Sequence, residues 1–387
     1  MGLNPPFFDG GLATSASLNQ PQGVTMDSEG NLWITDTNSN KLRFVNLGIT
    51  SKTIFERTTS SKVVEAGSIV TVNDGVSQPD KTSVLNAFFT NPTGLQASAE
   101  GLFIADTLRG PATTGAPSRR TGLIRYINTT NQDVLMPSVG DNSVVTVEPG
   151  QVITVSGGST DSSSTVVDGI RGEFVKYLAP TDIAIHPTNR NIYVADAGHR
   201  RVRVINRTSG ITSSLILPTS TTPYEITGLA FDSAGRLLVV DPGGRRILRE
   251  KSPGTGGTAN GFDVLLSGGI LNRPRDIVEG ADGAYYIVNA GDPSGPSATS
   301  SHQILRMPVN ETTRVGTATV FLGGTVAGYR GDGGPITAAR ISVQPQPVNI
   351  ATIGEQLFVR TTINIIRGLN GELIFTDSRN NAIRRIR

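Results

Sequence analysis

The stretch GNLWITDTNSNKLRFVN, Gly30 to Asn46, contains the pattern that decides the fold. A run of strand-forming residues from Leu32 ends at Asp36, a turn of small polar residues follows, and a second such run begins at Leu42. Asp favours the start of a turn because its carboxylate accepts nearby backbone N–H groups. The stretch therefore predicts two short strands joined by a turn that Asp36 stabilises.

The same pattern recurs along the chain in six copies. Their starting segments are PQGVTMD from Pro21, PTGLQAS from Pro92, PTDIAIH from Pro180, ITGLAFD from Ile226, PRDIVEG from Pro274 and, within the last copy, NGELIFTD from Asn370. Each copy reads as three short strands with period-two alternation, and weaker runs such as GQVITV from Gly150 supply a fourth strand. Four-stranded units repeated around an axis form a β-propeller.

We therefore predict an all-β fold, a six-bladed β-propeller of four-stranded blades that forms a single domain over residues 1–387. The predicted blade cores lie near 20–72, 91–155, 179–217, 225–268, 273–322 and 347–387, the last together with 1–11. The sixth copy ends at its third strand, and we expect the N-terminal segment NPPFF to close that blade. The alternative is a strand donated by a neighbouring molecule, because an unpaired edge invites strand addition.

One turn position is shared by all six copies and is expected to be structural. It holds Asp36, Asp106, Asp196, Asp241, Asn289 and Asp377. Each is predicted to cap its own turn by accepting backbone N–H bonds. The arginines of the third strands are expected to bond to neighbouring blades. They are Arg43, Arg203, Arg249 and Arg384.

These motifs resemble the NHL-repeat family, whose units run Pro-x-Gly, then Gly-Asn with a strand ending in Asp, then Asn-x-Arg. The segment GYRGDGGPITAARI from Gly328 is similar to the linker of a subtype common in secreted bacterial proteins, and FFDGGLATSASLNQ from Phe7 resembles a degraded copy. The resemblance spans nearly the whole chain. It implies a propeller that is used either as a binding scaffold or as an enzyme.

Composition excludes several classes of site. The chain has no Cys, so disulfides and thiolate metal sites are excluded. Its net charge is +2, with Gly 45 and Pro 22 among 387 residues, as in a turn-rich β protein. No apolar run is long enough to span a membrane. Loops rich in Ser, Thr, Gly and Asn resemble those of exported bacterial proteins, so we expect an extracellular or periplasmic location.

The irregular parts of a repeat protein are the best candidates for function. Five insertions belong to connections that emerge on one face of a propeller. They are 73–91, 107–122, 156–179, 290–303 and 323–346. We call this surface the loop-rich face. Two further insertions, from Phe44 and from Tyr126, are each predicted to add a hairpin on the opposite face.

Residues for partner binding are predicted on the loop-rich face. They are Arg109, Arg119, Arg120, His199, Arg200, Arg245, Arg246, His302, Arg330, Asp332 and Arg379. Arginine in turns and insertions favours an acidic protein or glycan partner. We do not expect nucleic acid binding, because aromatic residues for base stacking are scarce in these loops.

Catalytic chemistry has little support in the sequence. The three histidines, His186, His199 and His302, fall in different positions of the repeat, and no nucleophile motif is present. No catalytic residue, metal site or cofactor is therefore assigned, although Ca²⁺ bound by loop oxygens such as those of Asp332 stays open. We predict a non-catalytic extracellular binding or assembly module. The alternatives are a propeller hydrolase or lyase with a divalent metal in the central channel, and a structural subunit linked by strand donation.

Overall fold

The computed structural model describes most of the chain. The described residues are 9–55, 61–73, 80–107, 122–139, 144–159, 166–258, 260–291, 302–324, 328, 336, 339–342, 347–352, 355–360 and 364–386. Within them the predicted all-β, six-bladed propeller is confirmed, and the helices are short 3₁₀ turns. No described helix has the length and apolar character needed to cross a membrane.

Blades 1 to 3 each contain four antiparallel strands, hydrogen-bonded in chain order from the inside of the ring outward. Blade 1 has Gly23–Met26, Leu32–Asp36, Lys41–Val45 and Ile69–Thr71. Blade 2 has Pro92–Ser98, Gly101–Asp106, Leu123–Ile127 and Gln151–Gly157. Blade 3 has Pro180–Ile185, Ile192–Asp196, Arg201–Ile205 and Ile211–Ser214.

Blades 4 and 5 follow the same order, and the described part of blade 6 has three strands. Blade 4 has Gly228–Phe231, Leu237–Asp241, Arg246–Glu250 and Phe262–Ser267. Blade 5 has Pro274–Glu279, Tyr285–Asn289, His302–Met307 and Thr319–Gly324. Blade 6 has Ile365–Arg367, Leu373–Asp377 and Ala382–Ile386.

The linker that precedes a blade packs on the outer strand of that same blade. Thr82–Ser83 pairs with blade 2 and Ile170–Arg171 pairs with blade 3. In blade 1 the segment around Leu12 takes this place, with a bridge to Ser68. Each of these linkers continues into a 3₁₀ turn, at Ala13–Ser15, Val84–Asn86 and Gly172–Phe174. The structure also describes 3₁₀ turns at Thr37–Ser39, Thr255–Gly257 and Ser378–Asn380.

Within the described residues, four two-stranded hairpins lie outside the blade sheets. The two that the sequence predicts are Lys52–Ile54 with Lys62–Val64 and Val134–Pro137 with Val144–Val147. Val309–Asn310 with Val315–Gly316 adds a third, in blade 5. Pro347–Thr352 with Glu355–Arg360 forms a fourth, separate from the sheet of blade 6 that begins at Ile365.

Six hydrophobic cores lie between neighbouring blades and close the ring. Successive residues of a strand face opposite sides of the sheet, so Trp33 packs with blade 2 whereas Ile34 packs with Ile374 of blade 6. The four other cores join the remaining blade pairs in turn. Blade 6 therefore meets blade 1 through side-chain packing. The segment NPPFF, predicted to close blade 6, lies outside the described residues.

Candidate functional site

The turn carboxylates connect the second strand of a blade to the linker that leads into its first strand. Asp36 accepts from the backbone N–H of Asn19 at 2.6 Å, and Asp377 accepts from that of Ser342 at 2.7 Å. The same type of contact joins Asp106 to Thr90 and Asn91, Asp196 to Leu178 and Ala179, Asp241 to Glu225, and Asn289 to Asn272. These residues therefore accept backbone N–H groups as predicted. The donors are mainly residues of the linker, and Asp241 also accepts from Gly244 within its own turn.

Third-strand arginines turn inward within their own blades. Arg43 is fully buried and lies 2.8 Å from Asp9 of the linker and 3.4 Å from the turn carboxylate of Asp36. Arg125 and Arg203 reach the linker residues Asp80 and Asp168 at 3.6 Å and 3.3 Å. The expectation that third-strand arginines bond to a neighbouring blade is therefore wrong for Arg43 and Arg203. It is confirmed for Arg249 of blade 4, which donates to Tyr285 and Glu311 of blade 5.

The linker carboxylates also hold the outer strands. Asp9 accepts from the Thr71 hydroxyl, Asp80 from that of Thr154 and Asp168 from that of Ser214, each at 2.9 Å. A linker Asp therefore joins the outer strand of its blade to the buried arginine of the third strand.

Blades 4 and 5 depart from this arrangement. Leu248 and Leu305 occupy the third-strand position that holds arginine in blades 1, 2, 3 and 6. In blade 4 a different arginine, Arg246, lies 2.7 Å from Asp241. In blade 5 the turn residue is the neutral Asn289. At the turn position, an arginine within 3.4 Å offsets part of the desolvation cost of the carboxylates of Asp36, Asp241 and Asp377.

Burial dominates the electrostatics of the turn carboxylates. It raises the pKa of Asp36 to about 6, although the Asn19 N–H and Arg43 act in the opposite direction. Burial also raises the pKa of Asp106, Asp241 and Asp377. These groups lie inside the blades and do not present charge to a partner.

Several residues predicted for partner binding are bonded inside the protein. His199 lies 2.6 Å from Asp196, and Arg246 pairs with Asp241 and stacks over the Tyr224 ring at 4.2 Å. His302 is buried, and burial together with the Arg379 charge lowers its pKa to about 4. These side chains therefore have a structural role at the loop-rich face.

Other predicted residues reach the surface of the loop-rich face. Arg200, Arg245 and Arg379 are exposed at the tips of turns in blades 3, 4 and 6. Arg245 also donates to the carbonyls of Leu271 and Gly269, which are neutral acceptors. The remaining predicted residues, Arg109, Arg119, Arg120, Arg330 and Asp332, lie outside the described residues. The Ca²⁺ site suggested at Asp332 therefore also lies outside the described residues.

The central channel holds a group of polar residues that the sequence reasoning missed. Asp182, Asp276 and Asn364 line it, and the corresponding residues of the other three blades are Gly23, Gly94 and Gly228. Asp182 accepts from the backbone N–H of Leu229, and Asp276 accepts from that of Ile365, each at 2.8 Å. The signal was present in the sequence, as the replacement of Gly by Asp or Asn at one motif position.

These side chains connect successive blades around the channel. Asn364 donates to Asp276 at 2.8 Å and accepts from the backbone N–H of Val24 at 3.1 Å. Burial raises the pKa of Asp182 to about 7. Burial, and then the charge of Asp182, raise the pKa of Asp276 well above its ordinary value. Both carboxyls are therefore protonated more readily than an ordinary aspartate.

A cavity of about 320 Å³ occupies the channel beside these residues. Its other end is formed by residues at the ends of the first strands, including Ser233, Glu279 and Arg367. No group of three His, Asp or Glu side chains with metal-binding geometry occurs in the part of the chain that the structure describes. The channel therefore offers a pair of carboxyls and an amide at one end.

Comparison with known proteins agrees with this architecture. The family model of the NHL repeat matches residues 18–43, which include Asp36 and Arg43. Residues 18–43 carry an NHL repeat. Together with the six blades, this match supports an NHL-repeat propeller, while the subtype with Gly-Asp-Gly-Gly linkers stays a prediction. No curated protein matches the sequence significantly.

Solved structures with similar folds have little sequence in common with the chain. An auxiliary nutrient binding protein from Bacteroides thetaiotaomicron is 13% identical with a TM-score of 0.50, covering 96% of this chain and 69% of its own. Virginiamycin B lyase from Staphylococcus aureus is 15% identical with a TM-score of 0.48, covering 96% and 86%. A PQQ-bound aldose sugar dehydrogenase from Streptomyces coelicolor is 13% identical with a TM-score of 0.41, covering 79% and 81%. Such likeness concerns the fold alone.

Proposed function

We propose that the protein is a non-catalytic binding module that acts outside the cytoplasm and binds an acidic protein or glycan through its loop-rich face. One observation carries the proposal. Arginine is exposed at the described turn tips of blades 3, 4 and 6, whereas the turn carboxylates beneath these tips are buried. These three turn tips are therefore cationic even though the whole chain has a net charge of only +2.

Arginine suits such a surface because its planar guanidinium can hold a carboxylate or sulfate with two hydrogen bonds. Contacts beneath the surface support the role of arginine as a binding group. Buried contacts such as Asp196 with His199 fix the turn of blade 3, so the exposed Arg200 is presented from an ordered backbone. Less conformational entropy is then lost when a partner binds.

The test compares two triple variants. The first variant removes three arginines of the loop-rich face and combines Arg200→Ala, Arg245→Ala and Arg379→Ala. The second removes three arginines of the opposite face and combines Arg190→Ala, Arg306→Ala and Arg314→Ala. Poly-L-glutamate and heparin serve as probes in titrations at several salt concentrations. We expect the first variant to lose most of the affinity and of its salt dependence. Equal loss in both variants, or no binding by the wild-type chain, would contradict the proposal.

A second candidate function is assembly by strand exchange. The edge strand Ala382–Ile386 of blade 6 has no outer partner among the described residues. Open sheet edges pair readily with other strands. Closure by residues 1–8 predicts a monomer in light scattering that associates or loses stability when those residues are deleted. Strand exchange predicts instead that the full chain is already associated at micromolar concentration.

A further inference from the structure

The residue immediately before the third strand has a left-handed backbone conformation in blades 1, 3, 4 and 6. It is Asn40, Arg200, Arg245 and Asn381, with φ of 56°, 59°, 49° and 55° respectively. In each blade its N–H donates to the carbonyl of the residue three positions earlier. The four turns therefore share one backbone geometry and differ in the side chain that they present.

This conformation favours asparagine over arginine. Among residues other than glycine, Asn adopts positive φ several times more often than the average residue, because its short polar side chain can hydrogen-bond locally. Asn381 does so and accepts from the Gln20 N–H at 2.9 Å. Blades 1 and 6 therefore hold the residue type that the turn favours. Arginine at the same position of blades 3 and 4 indicates a constraint other than folding.

Other arginines with positive φ are compensated inside the protein by a carboxylate. Their ion pairs are Arg190 with Glu100 at 2.7 Å, Arg273 with Glu225 at 2.7 Å and Arg314 with Asp263 at 3.1 Å. In these three places the strained backbone is accompanied by an Asp or Glu side chain that receives the guanidinium.

Arg200 and Arg245 lack this compensation. Neither guanidinium forms an ion pair with an Asp or Glu in the described part of the chain. Arg200 is exposed, and Arg245 donates to the backbone carbonyls of Leu271 and Gly269 at 2.6 Å and 3.1 Å. Both arginines lie at turn tips of the loop-rich face. A carboxylate from a binding partner would therefore occupy the place that an internal carboxylate has at Arg190.

We propose that Arg200 and Arg245 together bind two carboxylates of one acidic polypeptide segment that lies across blades 3 and 4. This inference rests on the proposed function and adds the binding residues and the class of partner. Blades 3 and 4 are neighbours that share one hydrophobic core. Packed sheets lie about 10 Å apart and an extended chain advances about 3.3 Å per residue. Acidic residues about three positions apart therefore reach both arginines.

The internal ion pairs favour a polypeptide over a sulfated glycan as the partner. Each of them joins an arginine of positive φ to an Asp or Glu carboxylate, which the planar guanidinium can hold with two hydrogen bonds. Tyr224, in the linker of blade 4, has the Arg246 guanidinium over its ring at 4.2 Å. That face of the ring is therefore not open to a sugar.

The experiment is calorimetric titration of the full chain with hexaglutamate at low ionic strength. Hexaglutamine and a heparin hexasaccharide are titrated separately. We expect saturable binding of hexaglutamate that weakens with added salt, and no binding of hexaglutamine. A double variant with Arg200→Asn and Arg245→Asn, which copies the residues of blades 1 and 6, should lose about tenfold in hexaglutamate affinity.

The matched control combines Arg190→Asn and Arg314→Asn. These residues also have positive φ but lie on the opposite face and are paired internally, so the hexaglutamate affinity should be unchanged. Thermal unfolding of Arg200→Asn tests the premise about the turn. Its unfolding midpoint should equal or exceed that of the wild-type chain, because Asn suits the backbone conformation. A clearly lower midpoint would show that Arg200 stabilises the fold and would overturn the inference.

The outcomes separate this inference from the proposed function. Hexaglutamate binding that survives in the Arg200→Asn and Arg245→Asn variant but is lost in Arg379→Ala would overturn the assignment to blades 3 and 4. Binding of the heparin hexasaccharide without binding of hexaglutamate would overturn the assignment to a polypeptide. In both cases the proposed function would stand. Failure of the wild-type chain to bind either acidic probe would overturn both.

Discussion

The guanidinium of Arg43 lies between two carboxylates, 2.8 Å from Asp9 of the linker and 3.4 Å from Asp36 of the turn. Asp36 is buried, whereas the side chain of Asp9 is 42% exposed. Arg43 therefore balances the negative charge of one buried carboxylate and of one solvated carboxylate. The two contacts should differ strongly in their contribution to stability.

Replacement of the arginine is the first test of this difference. Arg43→Met leaves Asp36 buried without a cation, so we expect the free energy of unfolding to fall by about 3 kcal/mol. Asp9→Asn should cost less than about 1 kcal/mol, because the exposed partner is solvated in its absence. Urea unfolding measures both changes. Arg385→Met, at an exposed position of blade 6, is the control, and a loss equal to that of Arg43→Met would contradict the interpretation.

Blade 5 allows the opposite test, in which a carboxylate is introduced at a turn position that lacks a neighbouring arginine. Asn289 donates to the Ile270 carbonyl at 3.1 Å and to the Gln303 amide oxygen at 3.2 Å, and no arginine occupies the inner position of its third strand. Asn289→Asp would place a carboxylate against two acceptors, so we expect a loss of about 3 kcal/mol at pH 7.

The pH dependence of that loss is a second measurement on the same variant. The carboxyl introduced by Asn289→Asp would be buried and have a raised pKa, so the destabilisation should shrink as pH falls and the carboxyl becomes a donor again. Thermal unfolding at pH 4.5 and pH 7 compares the two states. A loss that is independent of pH would mean that a steric change, rather than charge, is responsible.

The glycines of the inner ring set the approach of neighbouring blades. A Cβ on Gly94 would overlap the Cα of Asp182 and lie 2.8 Å from the Thr181 carbonyl oxygen. Gly94→Ala should therefore cost about 2 kcal/mol through overpacking. Gly324→Ala is the matched control in a strand, since nothing lies within 4 Å of its Cβ position. Similar unfolding midpoints for the two variants would contradict this prediction.

The channel carboxyls predict an unusual pH dependence of stability. Burial raises the pKa of Asp182 to about 7, so the folded chain binds a proton that the unfolded chain releases near pH 4. Each such group lowers the free energy of unfolding by up to about 1.4 kcal/mol per unit as pH rises through that window. Asp276→Asn removes one group of the pair.

Comparing Asp276→Asn with the wild-type chain isolates the contribution of the channel carboxyls to the pH dependence of stability. Asp36 acts in the same direction as Asp182, and His302, whose pKa is lowered, acts in the opposite one, but both are present in either protein. We expect the stability of the variant relative to the wild-type chain to increase as pH rises from 4 to 8. Parallel pH profiles of the two proteins in urea unfolding would contradict a raised pKa of Asp276 in the folded chain.

The repeat made the architecture predictable from sequence. The spacing of Asp36 and its equivalents indicates six blades, and period-two alternation indicates their strands. The linker contacts were not predictable, because the segments around Asp9, Asp80 and Asp168 have little in common beyond the carboxylate. Their shared partner, a third-strand arginine, becomes visible only when the sheets are formed.

The channel residues could have been found earlier. Asp182 and Asp276 stand where other blades have glycine, and a charged replacement at a position that faces the axis is a departure with a physical meaning. The sequence does not show that these residues lie close together in space. Nearly ninety residues separate Asp276 from Asn364, and only the ring brings them within hydrogen-bond distance.

Hydrogen exchange of the full chain, with and without saturating poly-L-glutamate or heparin, tests most directly whether recognition uses the loop-rich face. Binding there predicts added protection of backbone amides in the turns 37–40, 197–200, 242–245 and 378–381. The turns 27–31, 186–191 and 232–236 of the opposite face should be unchanged. Protection confined to the opposite face would contradict the proposed function.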